Sequence, residues 1–195
     1  MSETSLMKAV REDIEHTDHK IYIEASKGQL LKLLAKTINA KIVLEIGTLY
    51  GYSTLWLQQG LSEGGKIHTI EKDAKRFQKA SGYLGKFDNI KMHFGAASEV
   101  LEEFHEIVDM VFIDADKNNY LTYLEWSIRH LRKGGLLVAD DTLLFGAVEG
   151  KACDQKVRVG TVEHMKAFNE RIKKPPFESV MLPYEDGFTV ALKVL

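Results

Sequence analysis

The chain has 195 residues, 45% hydrophobic and 28% charged, with 26 Lys+Arg against 28 Asp+Glu for a formal charge of −2. These values exclude a disordered or collagen-like chain, and the near-neutral balance argues against binding bulk nucleic acid by charge alone. A single cysteine, Cys153, excludes an internal disulfide framework and a Cys-rich zinc site. No apolar run approaches the ~18 residues of a bilayer span, and the polar start carries no secretory signal. The expectation is one soluble, cytoplasmic domain over residues 1–195 with no membrane partner.

In chain order, residues 1–26 are polar with scattered apolar positions and read as a helical arm outside any sheet. Residues 27–39 carry Leu30, Leu31, Leu33, Leu34 and Ile38 on one broad apolar face, a helix. Short apolar runs then alternate with helical stretches. The runs are Ile42–Ile46, Ile67–Ile70, Ile90–Phe94, Met110–Ile113 and Leu136–Ala139. Between them lie helical patterns at 53–59, 74–83 and 120–132. Continuous apolar strands alternating with helices are the signature of a parallel sheet covered on both faces. After a helix near 162–172, strands at 179–182 and 188–194 are joined by Pro183-Tyr184-Glu185-Asp186-Gly187. That link is too short for a crossover helix, so these two strands pair antiparallel. The fold predicted is α/β, a mostly parallel sheet with one reversed strand near its end. Residues 146–160 lack a clear period and read as a loop.

Ligands of open α/β sheets bind beyond the carboxyl ends of the strands. The first strand ends in Glu45-Ile46-Gly47-Thr48-Leu49-Tyr50-Gly51-Tyr52-Ser53, a glycine turn that lets a ligand approach the backbone. Its G-x-x-x-G spacing departs from the dinucleotide fingerprint. Glu71 closes the second strand, where a carboxylate can accept both hydroxyls of a ribose. Together they suggest an adenosine-containing ligand without a pyrophosphate; the alternative is a tight turn and a surface glutamate. Two further strands end in Asp114-Ala115-Asp116-Lys117 and Asp140-Asp141-Thr142. If those strands are neighbours, ~4.8 Å apart, Asp114 converges with Asp140 or Asp141. Clustered carboxylates repel unless a cation lies between them, and an all-oxygen set favours Mg²⁺, Mn²⁺ or Ca²⁺ over zinc. The alternative makes Asp116 a helix cap and the Asp pair a solvated loop. Lys117 is by default a solvated lysine; beside a metal it can serve as general base for a phenol-like hydroxyl, whose pKa of ~10 the metal lowers. His68, His93, His105, His130 and His164 read as structural, and Cys153 as a loop thiol.

With these residues in place, the chain resembles the cation-dependent O-methyltransferases, the group of the caffeoyl-CoA and catechol O-methyltransferases. The likeness runs over about residues 23–195, through Ala25-Ser26-Lys27-Gly28-Gln29-Leu30-Leu31, Glu45–Ser53, Glu71-Lys72-Asp73, Gly95-Ala96-Ala97, Val111–Lys117, Gly134-Gly135, Ala139-Asp140-Asp141 and Pro183–Lys193. It implies a class I methyltransferase (Rossmann-like) fold with a seven-stranded sheet, and S-adenosyl-L-methionine (SAM) as methyl donor. By matching positions, Glu45, Gly47, Thr48 and Ser53 would hold the methionine part, Glu71 the ribose, and Ala96 the adenine. Asp114, Asp140 and Asp141 would hold the divalent cation, with Asp116 close to the cofactor and Lys117 the base. Relatives are often homodimers.

Three departures qualify the likeness. Asp141 stands where the family usually has Asn. Leu144 and Phe145 replace positions that are often Trp and a polar residue. The N-terminal region is short, lacking a segment that contacts acyl-CoA in plant relatives. The expected acceptor is therefore a small molecule with a catechol-like or vicinal hydroxyl. A tRNA base hydroxyl is the alternative acceptor, and a non-catalytic SAM-binding module the alternative class. A protein carboxylate acceptor needs no general base, and the glycine spacing disfavours an NAD-dependent oxidoreductase.

Overall fold

The apolar runs become strands. The computed structural model describes residues 3–17, 21–151, 157–184 and 186–195; Cys153 and most of the link ahead of the last long helix lie outside the described residues. Seven strands form one sheet in the order β3-β2-β1-β4-β5-β7-β6: β1 (Ile42–Ile46), β2 (Lys66–Glu71), β3 (Ile90–Phe94), β4 (Val108–Ile113), β5 (Leu131–Asp140), β6 (Phe177–Leu182) and β7 (Phe188–Lys193). β1–β2, β2–β3 and β4–β5 pair parallel, and β7 runs antiparallel to both β5 and β6. The reversed strand predicted from the short 183–187 link is β7. Among the described residues no helix is long and apolar enough to cross a membrane.

The chain divides into two compact units, Met1–Val100 and Leu101–Leu195. In the first, α1 (Ser5–Glu15) is capped by the Thr4 hydroxyl, which accepts from the Met7 N–H, and buries Met7, Val10 and Ile14. Their spacing places all three on one face. The helix is tied down by polar contacts as well: the Tyr52 and Tyr83 hydroxyls donate to Glu3 and Asp13, and Arg11 pairs with Glu3 and Glu15 at 3.1 and 2.8 Å. In α2 (Ala25–Thr37), Gly28 lies under the indole of Trp56 from α3 (Tyr52–Gln58), where a Cβ would come within 2.3 Å of the ring. A glycine is required there for the two helices to approach. α4 (Ala74–Leu84) starts at Asp73, whose carboxylate accepts from the Lys75 and Arg76 N–H groups. His68 and His93 stack between β2 and β3 with a 3.0 Å hydrogen bond.

α5 (Ala97–Glu103) leaves no helical pattern in the sequence, since three glutamates in seven residues obscure any apolar period. In the second unit, β5 is longer than its apolar core. The sequence shows an apolar run only at 136–139 and a helical pattern to 132, yet the strand starts at Leu131 and continues through Gly134 and Gly135, with a register shift opposite Val108 and Met110. Gly135 passes so close to the Asp109 carbonyl that a Cβ would lie 2.7 Å from it. α6 (Tyr120–His130) and α7 (Val159–Ile172) bury Tyr120, Tyr123, Leu124 and Trp126, and Met165, Phe168 and Ile172. α7 begins at Val159, three residues ahead of the helix expected near 162–172, and this first valine is exposed and outside the buried stripe of Met165, Phe168 and Ile172.

Candidate active site

Within the first unit, the candidate residues gather at the carboxyl ends of β1, β2 and β3. Glu45 is completely buried. Its carboxylate accepts from the Ser53 hydroxyl at 2.6 Å, from Thr69 at 2.6 Å, and from Thr54. A buried carboxylate needs such donors to offset its desolvation. Glu45 and Ser53 thus hold each other and fix the start of α3 against β1 and β2. The Thr48 hydroxyl joins the network through Thr69 at 2.5 Å.

The turn between β1 and α3 is shaped by its backbone. Gly47 and Gly51 sit at φ +104° and +94°, and Leu49 at +50°. Gly51 also lies against Leu84 of α4, whose Cδ1 a Cβ would meet at 2.8 Å. Glu71 staples this turn: its two carboxylate oxygens accept the N–H groups of Leu49 and Asp73, each at 2.9 Å. Each oxygen keeps a second lone pair for another donor. Gly95 donates its N–H to the Glu71 carbonyl at 3.1 Å, and Ala96 follows as the residue ahead of α5, its carbonyl accepting from Glu99 and Val100.

Within the second unit, Asp114 and Asp116 follow β4, and Asp140 and Asp141 close β5 and its exit. Lys117 is the hub. Its ammonium donates to Asp141 Oδ2 at 2.7 Å, Asp114 Oδ1 at 3.2 Å and the Tyr120 hydroxyl at 2.8 Å, which uses all three of its protons. Burial by itself favours the neutral amine, but the carboxylates of Asp114 and Asp141 outweigh it and hold the Lys117 pKa well above its ordinary value. Lys117 is therefore the cation between two carboxylates here.

Tyr120, which carries no sequence signal beyond an apolar helical position, is fully buried. Its hydroxyl reaches the carbonyls of Asp140 and Ile113 at 3.0 and 3.3 Å, linking the ends of β5 and β4. Burial pushes the phenol pKa far up, so the hydroxyl stays protonated. Asp116 precedes a short 3₁₀ turn at Lys117–Asn119 but gives it no side-chain cap. Its carboxylate instead accepts from Asn119 Nδ2 at 2.5 Å and the Tyr123 hydroxyl at 3.1 Å.

The structure brings Asp140, Asp141 and Asp186 together, with carboxylate oxygens within 4.8 Å of one another. It connects Asp114 to Asp141 through Lys117. Asp186 was missed in the sequence because it lies in the β6–β7 link, far along the chain from any acidic strand end. The pairing of Asp140 with Phe188 in the antiparallel β5–β7 ladder carries it there. Asp141 sits at φ +58°, a region that both Asp and Asn tolerate. The backbone thus admits either residue at this position.

Comparisons with known proteins show which family the chain resembles. A family model described as O-methyltransferase matches residues 1–194. A catechol O-methyltransferase of Niastella koreensis is 35% identical over 76% of this chain and 69% of its own length. Caffeoyl-CoA O-methyltransferase 2 of Populus trichocarpa is 32% identical over 98% and 83%. Among solved structures, the O-methyltransferase TomG of Streptomyces achromogenes, in complex with SAM, superposes with a TM-score of 0.88 at 29% identity, covering 100% of this chain and 92% of that one. The chain belongs to the O-methyltransferase family. It is a SAM-dependent O-methyltransferase.

Proposed function

We propose that the chain methylates a hydroxyl of a small catechol-like or vicinal-hydroxyl acceptor with the help of a divalent cation. The observation that carries this reading is the convergence of Asp140, Asp141 and Asp186 beside Lys117. Hard oxygen donors without His or Cys suit Mg²⁺, Mn²⁺ or Ca²⁺. Asp140 and Asp141 would hold the ion, with Asp114 or Asp186 completing the set. When bound, it would supply Lewis acidity that lowers the pKa of an acceptor hydroxyl.

The remaining work falls to the chain's own side chains. Glu71 would accept the ribose hydroxyls of SAM on the lone pairs left by Leu49 and Asp73. Glu45, Thr48 and Ser53 keep the β1–α3 turn in shape for the methionine part. Lys117 would take the acceptor's proton once the charges of Asp114 and Asp141 are compensated. The acceptor oxygen then forms the O–CH₃ bond as the S–CH₃ bond of the sulfonium breaks, leaving S-adenosylhomocysteine. The names of the catechol and caffeoyl-CoA relatives support this acceptor class.

The test is a SAM-consumption assay over catechols, hydroxycinnamoyl esters and unmodified tRNA, each with and without EDTA. Turnover of a catechol abolished by EDTA and restored by Mg²⁺ is expected. EDTA-resistant turnover would remove the metal from the reading, and turnover of tRNA alone would replace the acceptor.

A further inference from the structure

Asp141 opens a turn whose backbone is held in an unfavourable shape. Asp141, Leu144 and Phe145 lie at φ +58°, +49° and +54°. Asp tolerates this region, but Leu and Phe adopt it rarely, and such a turn persists only when its surroundings over-determine it. The bonds that do so converge on Thr142, the residue directly after Asp141, which is fully buried. Its N–H donates to the Gly187 carbonyl at 3.1 Å. Its carbonyl accepts from Asn169 Nδ2 of α7 at 2.7 Å, and its hydroxyl accepts from Thr189 of β7 at 2.9 Å. One residue further on, the Leu143 and Leu144 N–H groups both donate to the Asp186 carbonyl, at 2.7 and 3.1 Å.

Asn169 is the informative member. It is 5% exposed, and its Oδ1 has no hydrogen-bond partner among the described residues. Burying an amide with one side unsatisfied costs stability that a leucine of similar volume would not. Packing alone therefore gives no reason for an asparagine in this helix face. What the amide provides is a donor aimed at the Thr142 carbonyl.

We propose that Asn169 and Thr189 are positioning residues: by clamping Thr142 they hold Asp141 in its left-handed conformation, with its carboxylate turned toward Lys117 and the Asp140–Asp186 cluster. The inference rests on the metal reading for its functional consequence, though the clamp itself is made by the chain's own hydrogen bonds. Groups that orient a metal ligand typically cost about 10–100-fold in metal affinity when removed.

The test compares wild type with Asn169→Leu, Thr189→Val and Thr189→Ser. Each is measured for Mn²⁺ affinity by calorimetry, SAM affinity, thermal midpoint, and the Asp141 ¹³Cα shift in the metal-free protein. Asn169→Leu and Thr189→Val are expected to weaken Mn²⁺ binding by about 10–100-fold. They should also move the Asp141 resonance away from its left-handed position while leaving SAM affinity at the wild-type value. Thr189→Ser, which keeps the hydroxyl, should restore both. A purely structural role would lower the thermal midpoint without touching Mn²⁺ affinity or the Asp141 shift, and that result overturns the proposal. If Asn169→Leu does not fold, Thr189→Val, which changes the volume least, decides the matter. Failure of wild type to bind Mn²⁺ would overturn the metal reading instead, and the Asp141 shift would then judge the clamp by itself.

Discussion

Replacing Glu71 by alanine removes two backbone hydrogen bonds and, on the proposed function, the hold on the SAM ribose, and melting and titration separate the two. The carboxylate now accepts the Leu49 and Asp73 N–H groups, each at 2.9 Å. Hydrogen bonds to a charged group contribute about 1.5–3 kcal/mol each, so the two together set a ceiling of about 3–6 kcal/mol. Asp73 is exposed, and its N–H regains water when Glu71 is lost; Leu49 is only partly covered. A net destabilisation of about 2 kcal/mol is the better figure, which lowers the thermal midpoint by about 4–8 °C for a chain of this size. The ribose contribution is separate. Losing both ribose hydrogen bonds should weaken SAM binding by about 2–3 kcal/mol, or about 30–150-fold. Glu71→Gln keeps an acceptor for one backbone N–H and polar atoms for the ribose, so it should lose about tenfold in SAM affinity with a smaller fall in midpoint. The assay is calorimetric titration of SAM well below each variant's midpoint, alongside thermal melts. If Glu71→Ala melts earlier but binds SAM as wild type does, Glu71 is a staple for the turn and nothing more.

Lys117→Ala should reduce turnover by about 10²–10⁴-fold, the range for a lost general base, without weakening Mn²⁺ binding, since Asp114 and Asp141 lose a competing cation. A loss of less than tenfold with a catechol at neutral pH would make Lys117 a bystander. Asp141→Asn removes one charge facing Lys117 and the other carboxylates; it should keep activity, weaken Mn²⁺ binding by about 1–2 kcal/mol, and make that binding less sensitive to acid because fewer protons compete for the site. Superimposable metal titrations of the two proteins at several pH values would show that Asp141 points away from the ion. Burial, reinforced by the hydrogen bond to Glu3, pushes the Tyr52 phenol up to about 12. A raised folded-state pKa stabilises the fold below the unfolded value of ~10, and that contribution is lost as pH climbs toward 12. Melts between those pH values should therefore fall more steeply for wild type than for Tyr52→Phe, and parallel curves would count against a raised Tyr52 pKa.

The strands, most of the helices and the reversal at β7 are legible in the chain because each is written in local periodicity and turn residues. The runs Ile42–Ile46 and Ile90–Phe94 coincide with β1 and β3, and the five-residue link before Phe188 leaves no room for a crossover. The polar punctuation is legible too, since Glu71, Asp114 and Asp140 stand where apolar runs stop. Where the local signal was diluted, boundaries moved: α5 is hidden among glutamates, and β5 passes through two glycines that look like a turn.

Which of those punctuation residues meet depends on long-range pairing. Asp186 joins Asp140 and Asp141 because the β5–β7 register sets Asp140 opposite Phe188, a pairing between residues 48 apart in sequence that no local pattern encodes. Lys117 has three partners because α6 presents Tyr120 beneath it while Asp114 and Asp141 arrive from two strand ends. Glu45, which the resemblance assigns to the methionine part of SAM, accepts from Ser53, Thr54 and Thr69, because a carboxylate buried that deeply needs donors for its oxygens. Asn169 sits on a helix face that reads as ordinary core, and its donor acquires a purpose only where α7 lies against a strained turn 27 residues earlier in the chain. Hydrophobic periodicity reports which face of an element is inside, whereas the direction of a hydrogen bond depends on what the fold places opposite it.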